Sequence, residues 1–373
     1  MCERPAWAEI DLPAIAHNVK QIRKATASNA KVCAVVKADG YGHGAIAVAR
    51  TALESGADCL AVAIANEAVE LRKAGFRVPI LVLGYTPVCQ AGLLIKNDIT
   101  QTICSIEMAQ ALSAVAVAAG KTAKIHIKID TGMGRIGVCP SDAGCFTAAV
   151  AALPGLYIEG VYSHFAVSDS WDKNFTNEQY NRFMEGLEYI KAQGIHIPVR
   201  HIANSAALLE LPHMHLDMVR PGIVLYGLWP SPEVKRSLQL KPAMKFKTQI
   251  GFIKDMAPKS SISYGRTYFT IQNSRIATLP VGYADGWSRL LANKTQVLVH
   301  GQRASIVGRI CMDQCMIDVS HIPNVKVDDE VLLFGGEELP VEEIAATMGT
   351  INYEIVCMLG KRVPRYYIGE VTY

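Results

Sequence analysis

The sequence predicts an α/β fold in which a (β/α)8 TIM barrel is followed by a mostly β domain. Three observations carry that expectation. Through the first two-thirds of the chain, continuous apolar runs alternate with segments rich in Ala, Leu, Glu and Lys. This is the pattern of parallel strands covered on both faces by helices. Eight such runs occur, at 32–36, 59–63, 80–83, 99–104, 124–129, 157–162, 199–202 and 218–224, and eight suits a barrel better than an open doubly wound sheet. The pattern then changes near Trp229-Pro-Ser-Pro232. Beyond it come short strand-like runs at 246–252, 276–281, 296–299, 304–307, 316–319 and 330–334, separated by turn residues and interrupted by a helical segment at 341–348. The expected domains are therefore a barrel over 12–238 and a β domain over 239–373, to which residues 1–11 belong.

Individual elements follow from local signals. Ser105 can cap a helix that runs to Ala119 and stops at Gly120, and a second helix from Asn174 ends before Gly194. The 373 residues are half apolar, enough for a sizeable core. The net charge of +3 is too small to argue for nucleic acid or an anionic membrane surface. No apolar run is long enough to span a membrane, and the first residues do not read as a secretory leader. Ten cysteines are scattered without zinc-like spacing, so free thiols in a reducing cytoplasm are expected. His213 and His215 are the nearest approach to a metal pair, and their place beside Pro212 argues against one.

The chemistry-bearing residues cluster at the C-terminal ends of the barrel runs, which form the reactive face of such a fold. The first run delivers Lys37, followed by a turn with Gly40, Gly42 and Gly44 and by Tyr41. A poorly solvated amine has a lowered pKa, and a neutral amine can form a Schiff base with a carbonyl. The alternative is a lysine that snorkels to solvent. The fifth run supplies Lys128, Asp130 and Arg135, the sixth His164, the seventh Asn204 and Ser205, and the eighth Arg220 with Gly222 and Ile223. Any one of these could be structural, and Asn204-Ser205 reads as a helix cap. Together they describe a place for a phosphorylated carbonyl cofactor beside a Schiff-base lysine.

The stretch Val35-Val-Lys-Ala-Asp-Gly-Tyr-Gly-His-Gly44 resembles the cofactor-lysine motif of the alanine racemase family. Eight further stretches match that family in order: Trp7–Asp11, 128–135, 201–205, 220–223, 263–268, 281–286, 308–314 and 351–355. The resemblance implies a pyridoxal 5'-phosphate enzyme that interconverts L- and D-alanine, supplies D-alanine for peptidoglycan, and works as a homodimer with shared active sites. It implies that Lys37 carries the cofactor and that Tyr41, Ser205, Gly222, Ile223 and Tyr353 hold its phosphate. Arg220 would face the pyridine nitrogen, with His164 and Asn204 beside the cofactor. Arg135 and Met312 would bind the substrate carboxylate. Tyr264, Met312 and Asp313 would come from the partner, Tyr283 and Tyr353 would narrow the entrance, and Lys128 would be a candidate for carbamylation. Racemisation needs a base on each face of the α-carbon, and the resemblance implies that Lys37 and Tyr264 would be the pair. Departures from the family are Asp39-Gly40, Ser163, Cys315 and Trp287-Ser288, of which Trp287 is expected near the entrance. Rival readings are a racemase of another small amino acid such as serine, an amino-acid decarboxylase, and a non-catalytic pyridoxal-phosphate-binding protein.

Overall fold

The computed structural model describes residues 4–369, which divide into two compact units. One unit contains residues 15–40 and 45–241. Its eight parallel strands are β1 (Lys31–Val35), β2 (Cys59–Val62), β3 (Ile80–Val82), β4 (Thr100–Ile103), β5 (Ala123–Lys128), β6 (Leu156–Tyr162), β7 (Val199–His201) and β8 (Met218–Val219). They pair in the order β7-β6-β5-β4-β3-β2-β1-β8. The remaining seam is bridged by backbone bonds from Asp217 N to Arg200 O and from Arg220 N to Ala203 O, each 3.0 Å. The result is a nearly closed barrel, as the apolar runs predict. The strands are almost wholly buried because helices cover their outer faces.

The expected run at 218–224 is shorter than anticipated. Pro221 has no N–H to continue a ladder, and Ile223–Tyr226 turns into a 3-10 helix. The helix signals are accurate: Ile106–Ala118 is capped by Ser105, whose side chain accepts from Met108 N, and Asn174–Ala192 ends just before Gly194 at φ 73°.

The other unit contains residues 4–14, 41–44 and 242–369. Its nine-stranded sheet runs Phe252–Met256, Ser274–Leu279, Cys315–Asp318, Gln302–Ile306, Gln296–Val299, Glu330–Phe334, Met244–Gln249, Ala6–Asp11, Arg365–Ile368. The run at 246–252 is two strands, because the chain turns at Ile250-Gly251 between them. Ala6–Asp11 pairs antiparallel with Met244–Gln249 and parallel with Arg365–Ile368, so both ends of the described chain are tied into one sheet. The helix Val341–Met348 matches the expected 341–348, and a further short helix, Asn352–Cys357, follows it. Trp287 is a core residue. It is 1 % exposed, with its ring tilted against Phe246 at 6.4 Å between centroids. No helix among the described residues is long and apolar enough to cross a membrane.

Asp285 organises the loop side of this unit. It is fully buried, accepts from Gly282 N at 3.0 Å, and pairs with Arg4 at 2.5 Å and Arg362 at 2.9 Å. A buried carboxylate between two guanidinium groups leaves two cations unbalanced when it is removed. Asp285→Ala is expected to lower stability by about 2–3 kcal/mol. Urea unfolding followed by circular dichroism measures it, and an unchanged midpoint would contradict the assignment.

Candidate active site

Lys37 lies two residues beyond the end of β1, and the four residues after it, Ala38, Asp39, Gly40 and Tyr41, all have φ between 52° and 59°. This is one turn of left-handed helix, which costs roughly 1–2 kcal/mol per non-glycine residue. The surroundings hold it in place. Gly40 N donates to Val36 O at 2.9 Å, and Glu67 accepts from Ala38 N at 2.6 Å. Asp39 accepts from Ala45 N at 2.9 Å, at the start of the helix Ala45–Glu54. The Asp39-Gly40 departure therefore has a local rationale. Asp39 caps a helix, and Gly40 occupies a left-handed position where an added Cβ would stand 3.2 Å from Ala45.

The other strand ends of the barrel converge as expected. Lys128 is the last residue of β5, His164 lies two residues past β6, and Arg220 follows β8. Arg220 is 3 % exposed and gives its hydrogen bonds to His201 Nδ1 at 2.6 Å, Ser163 O at 2.8 Å, His164 Nδ1 at 3.1 Å and Ile202 O at 3.2 Å. None of these partners is a carboxylate. Burial pulls the guanidinium down to about 10, with Tyr162 and Cys33 acting in the opposite sense, so it stays cationic at neutral pH. Because Arg220 can only donate, Nδ1 of His164 must accept and its proton resides on Nε2. Burial, then Arg220, Lys128, Arg135 and Lys37, hold the His164 imidazole well below its usual range, so it is neutral.

Lys128 is 2 % exposed, with Nζ 4.7 Å from the centre of the Tyr162 ring. Burial, reinforced by Arg220 and Arg135, pulls its ammonium down to about 7. Asp130 holds the glycine-rich turn that carries Arg135, accepting from Gly132, Met133 and Gly134 N at 3.0, 2.9 and 3.1 Å. Burial raises the Asp130 carboxyl, but these three bonds and Lys128 outweigh it and the net shift is downward. Asn204 Oδ1 accepts from Ala207 N at 3.1 Å and from Ser168 Oγ at 2.9 Å, so that oxygen caps the helix Ser205–Glu210. Ser205 Oγ accepts from Gly222 N at 2.9 Å, joining the ends of β7 and β8. Both ring nitrogens of His215 are taken by Ala27 N and Leu208 O, which makes it a structural histidine.

The second unit presents its own cluster. Tyr264 begins a 3-10 turn after Ser263, whose Oγ donates to Arg309 O at 2.6 Å. Tyr283 N and Ala284 N donate to Cys311 O and Met312 O at 3.1 and 3.0 Å, which docks the 282–286 loop on the 311–313 loop. Tyr264, Tyr283, Arg289, Ile310 and Cys311 line one open cavity, and Tyr264 and Met312 are 70 % and 52 % exposed. Asp313 pairs with Arg362 at 2.5 Å. Tyr41 belongs to this unit too, with its ring 6.1 Å from that of Tyr353. Burial, then Tyr353 and Cys357, push its phenol far above the usual range, so it remains a hydrogen-bond donor.

The polar residues behind Arg220 escape a motif reading. The 201–205 motif gives His201 no role of its own, and His126 and Glu159 lie outside every family motif. The available signal was the alternation Lys124, His126, Lys128 along β5, which places polar groups on one face of a barrel strand.

Models of the alanine racemase N-terminal and C-terminal domains match residues 10–230 and 243–367. The alanine racemase of Desulforamulus reducens is 55% identical over 369 residues, covering 98% of this chain and 100% of that one. That of Desulfovibrio desulfuricans is 54% identical over 366 residues, covering 98% and 99%. The solved alanine racemase of Clostridium difficile 630 superposes with a TM-score of 0.96 at 42% identity, covering 99% of this chain and 97% of that one. With both domains matched in order along nearly the whole length, and with the lysine, arginine and histidine of the barrel brought together at its strand ends, the chain belongs to the alanine racemase family.

Proposed function

We propose that this alanine racemase works with pyridoxal 5'-phosphate bound at Lys37, in a homodimer whose sites are completed by the partner's Tyr264. The observation that carries the reading is the buried, uncompensated charge of Arg220 at the same strand-end face as Lys37. The donor set fits the cofactor: an amine for the aldehyde, a charged donor for the ring nitrogen, and the Ser205 hydroxyl with the Gly222-Ile223 backbone for the phosphate. The protonated phenol of Tyr41, with Tyr353 beside it, can donate to a phosphate. When bound, the cofactor supplies the electron sink that makes the α-proton of an amino acid acidic.

The chain's own residues then do the rest. Lys37 Nζ takes or returns the proton on one face of the α-carbon, and the phenol of the partner's Tyr264 acts on the other. His164, neutral with its proton on Nε2, can donate to the phenolate of that tyrosine. Arg220 can donate to a ring nitrogen but cannot give up a proton to it at neutral pH, so a cofactor held there would be a weaker electron sink than one facing a carboxylic acid, which would favour simple return of the proton over side reactions. Arg135 pairs with the substrate carboxylate, together with the partner's Met312 and Asp313. Tyr283 and Tyr353 narrow the entrance to small side chains. The exposed Tyr264, Tyr283 and Met312 form an apolar surface that suits an interface. Nine free cysteines among the described residues suit a reducing cytoplasm, where D-alanine for peptidoglycan would be made.

Lys128 acts beside Arg135. A neutral amine attacks carbon dioxide, releases a proton to solvent and becomes a carbamate. An anion there replaces repulsion of Arg135 and Arg220 with attraction. Protein equilibrated with 13C-bicarbonate should show a carbamate carbon resonance that Lys128→Ala abolishes; a spectrum without that resonance would sink the assignment.

Two inactive variants test the shared site. Lys37→Ala and Tyr264→Ala chains are each expected to lose racemisation of alanine, followed as the change in optical rotation of a single enantiomer, since Lys37 alone could still exchange the proton on its own face. Mixed after mild dissociation, they should regain it, because a heterodimer contains one site with both groups. If the mixture stays inactive while the same treatment of wild type preserves activity, the two bases belong to one chain.

A further inference from the structure

The charge of Arg220 leads through the barrel to a carboxylate at its opposite mouth. His201 Nε2 meets His126 Nδ1 at 2.8 Å, and His126 Nε2 meets Glu159 Oε2 at 3.4 Å. Donor logic gives these contacts a single direction. Arg220 donates to Nδ1 of His201, so a neutral His201 carries its proton on Nε2 and donates it to Nδ1 of His126. His126 must then carry its own proton on Nε2, where Glu159 accepts it. A proton on Nδ1 of His126 would leave His201 with two accepting nitrogens and no proton. Burial and nearby Arg220 hold both imidazoles below their usual range, His201 well below, and His126 first among its partners holds the Glu159 carboxyl down to about 2. The chain is thus cation, two neutral imidazoles, anion.

Three features are built around it. Ile125 pairs with Ile158 and His126 with Gly160, so Glu159 is the extra residue of a bulge in β6. Bulges re-aim side chains, often next to active sites. Gly160 leaves room for the imidazole: a Cβ there would stand 2.7 Å from His126 Nδ1 and 2.9 Å from Val199 O. Tyr162 lies parallel to the His201 ring, with centroids 4.7 Å apart, and Arg220 sits over the same tyrosine. Glu159 and His126 also line a cavity of about 270 Å³ at the N-terminal mouth of the barrel, where Glu159 meets Lys124 at 3.1 Å.

We propose that Glu159 and His126 are positioning residues for the racemase reaction, acting through His201 to fix the orientation and the donor role of Arg220. The proposal rests on the reading of Arg220 as the cofactor's ring-nitrogen partner. It supplies Arg220 with an anion at a distance: a carboxylate beside the guanidinium would compete for its donors, whereas one relayed by two imidazoles takes one hydrogen of Nη1 and leaves the second to face a ligand.

The test uses full-length protein as purified, labelled with 15N-histidine. In wild type, His126 and His201 should both be neutral with the proton on Nε2. Glu159→Gln keeps an acceptor but removes the charge, so both tautomers should persist while the His126 Nε2–H resonance moves upfield. In the loaded enzyme kcat should fall about ten-fold, with KM for alanine changed less than about two-fold. Lys124→Met, which removes only the surface ion pair, should leave the histidine spectrum and kcat as in wild type. A proton on Nδ1 of either ring, an unchanged kcat in Glu159→Gln, or the same loss in Lys124→Met would each overturn the relay. Protein that binds no pyridoxal phosphate would instead overturn the reading of the site, since the histidine spectrum is readable without it.

Discussion

A guanidinium buried in the barrel without an adjacent carboxylate is the constraint on which the rest of the site depends. Desolvating a cation is costly unless its donors are satisfied, and Arg220 satisfies them with two carbonyls and two imidazoles. Because arginine can only donate, each imidazole it touches has its tautomer assigned. His164 is left with an outward Nε2–H, and His201 passes a donor inward. One residue type therefore settles proton positions on two histidines, and it does so through geometry that titration near neutral pH does not disturb.

The same charge shapes Lys128. Burial and two cationic neighbours pull its ammonium down to about 7, far below an isolated lysine. The barrel thus concentrates positive charge at one end, which attracts anionic groups. The left-handed turn after Lys37 follows a similar logic. Backbone strain there is held by Glu67, Asp39 and the Val36 carbonyl, and it delivers the lysine directly from a buried strand instead of from a mobile loop.

Much of this was legible in the sequence. Buried parallel strands leave continuous apolar runs, and caps such as Ser105 and stops such as Gly194 mark helix ends within a residue. Reactive groups at strand ends were found because a barrel places them there. What escaped depends on contacts distant in sequence. Nothing in the motif around Trp287 shows that its ring fills the core beside Phe246. The strand Ala6–Asp11 sits between Met244–Gln249 and Arg365–Ile368, partners that lie more than 230 positions away in sequence. The apolar run 218–224 is longer than its strand because apolar residues serve a 3-10 turn as well as a strand.

The path from Arg220 to Glu159 was the least legible part, and the reason is physical. A polar residue in a barrel strand reads as solvent-facing unless its partner is known, and here the partners lie on three different strands. Only the bulge at Glu159 turns that carboxylate toward His126, and a bulge is a property of two paired strands, not of either sequence. Gly160 is then required beside it, since any side chain would displace the imidazole. A carboxylate, a glycine and a histidine that seem unrelated in sequence thus form one structural unit, and the nearest group whose behaviour they can influence is the guanidinium two imidazoles away.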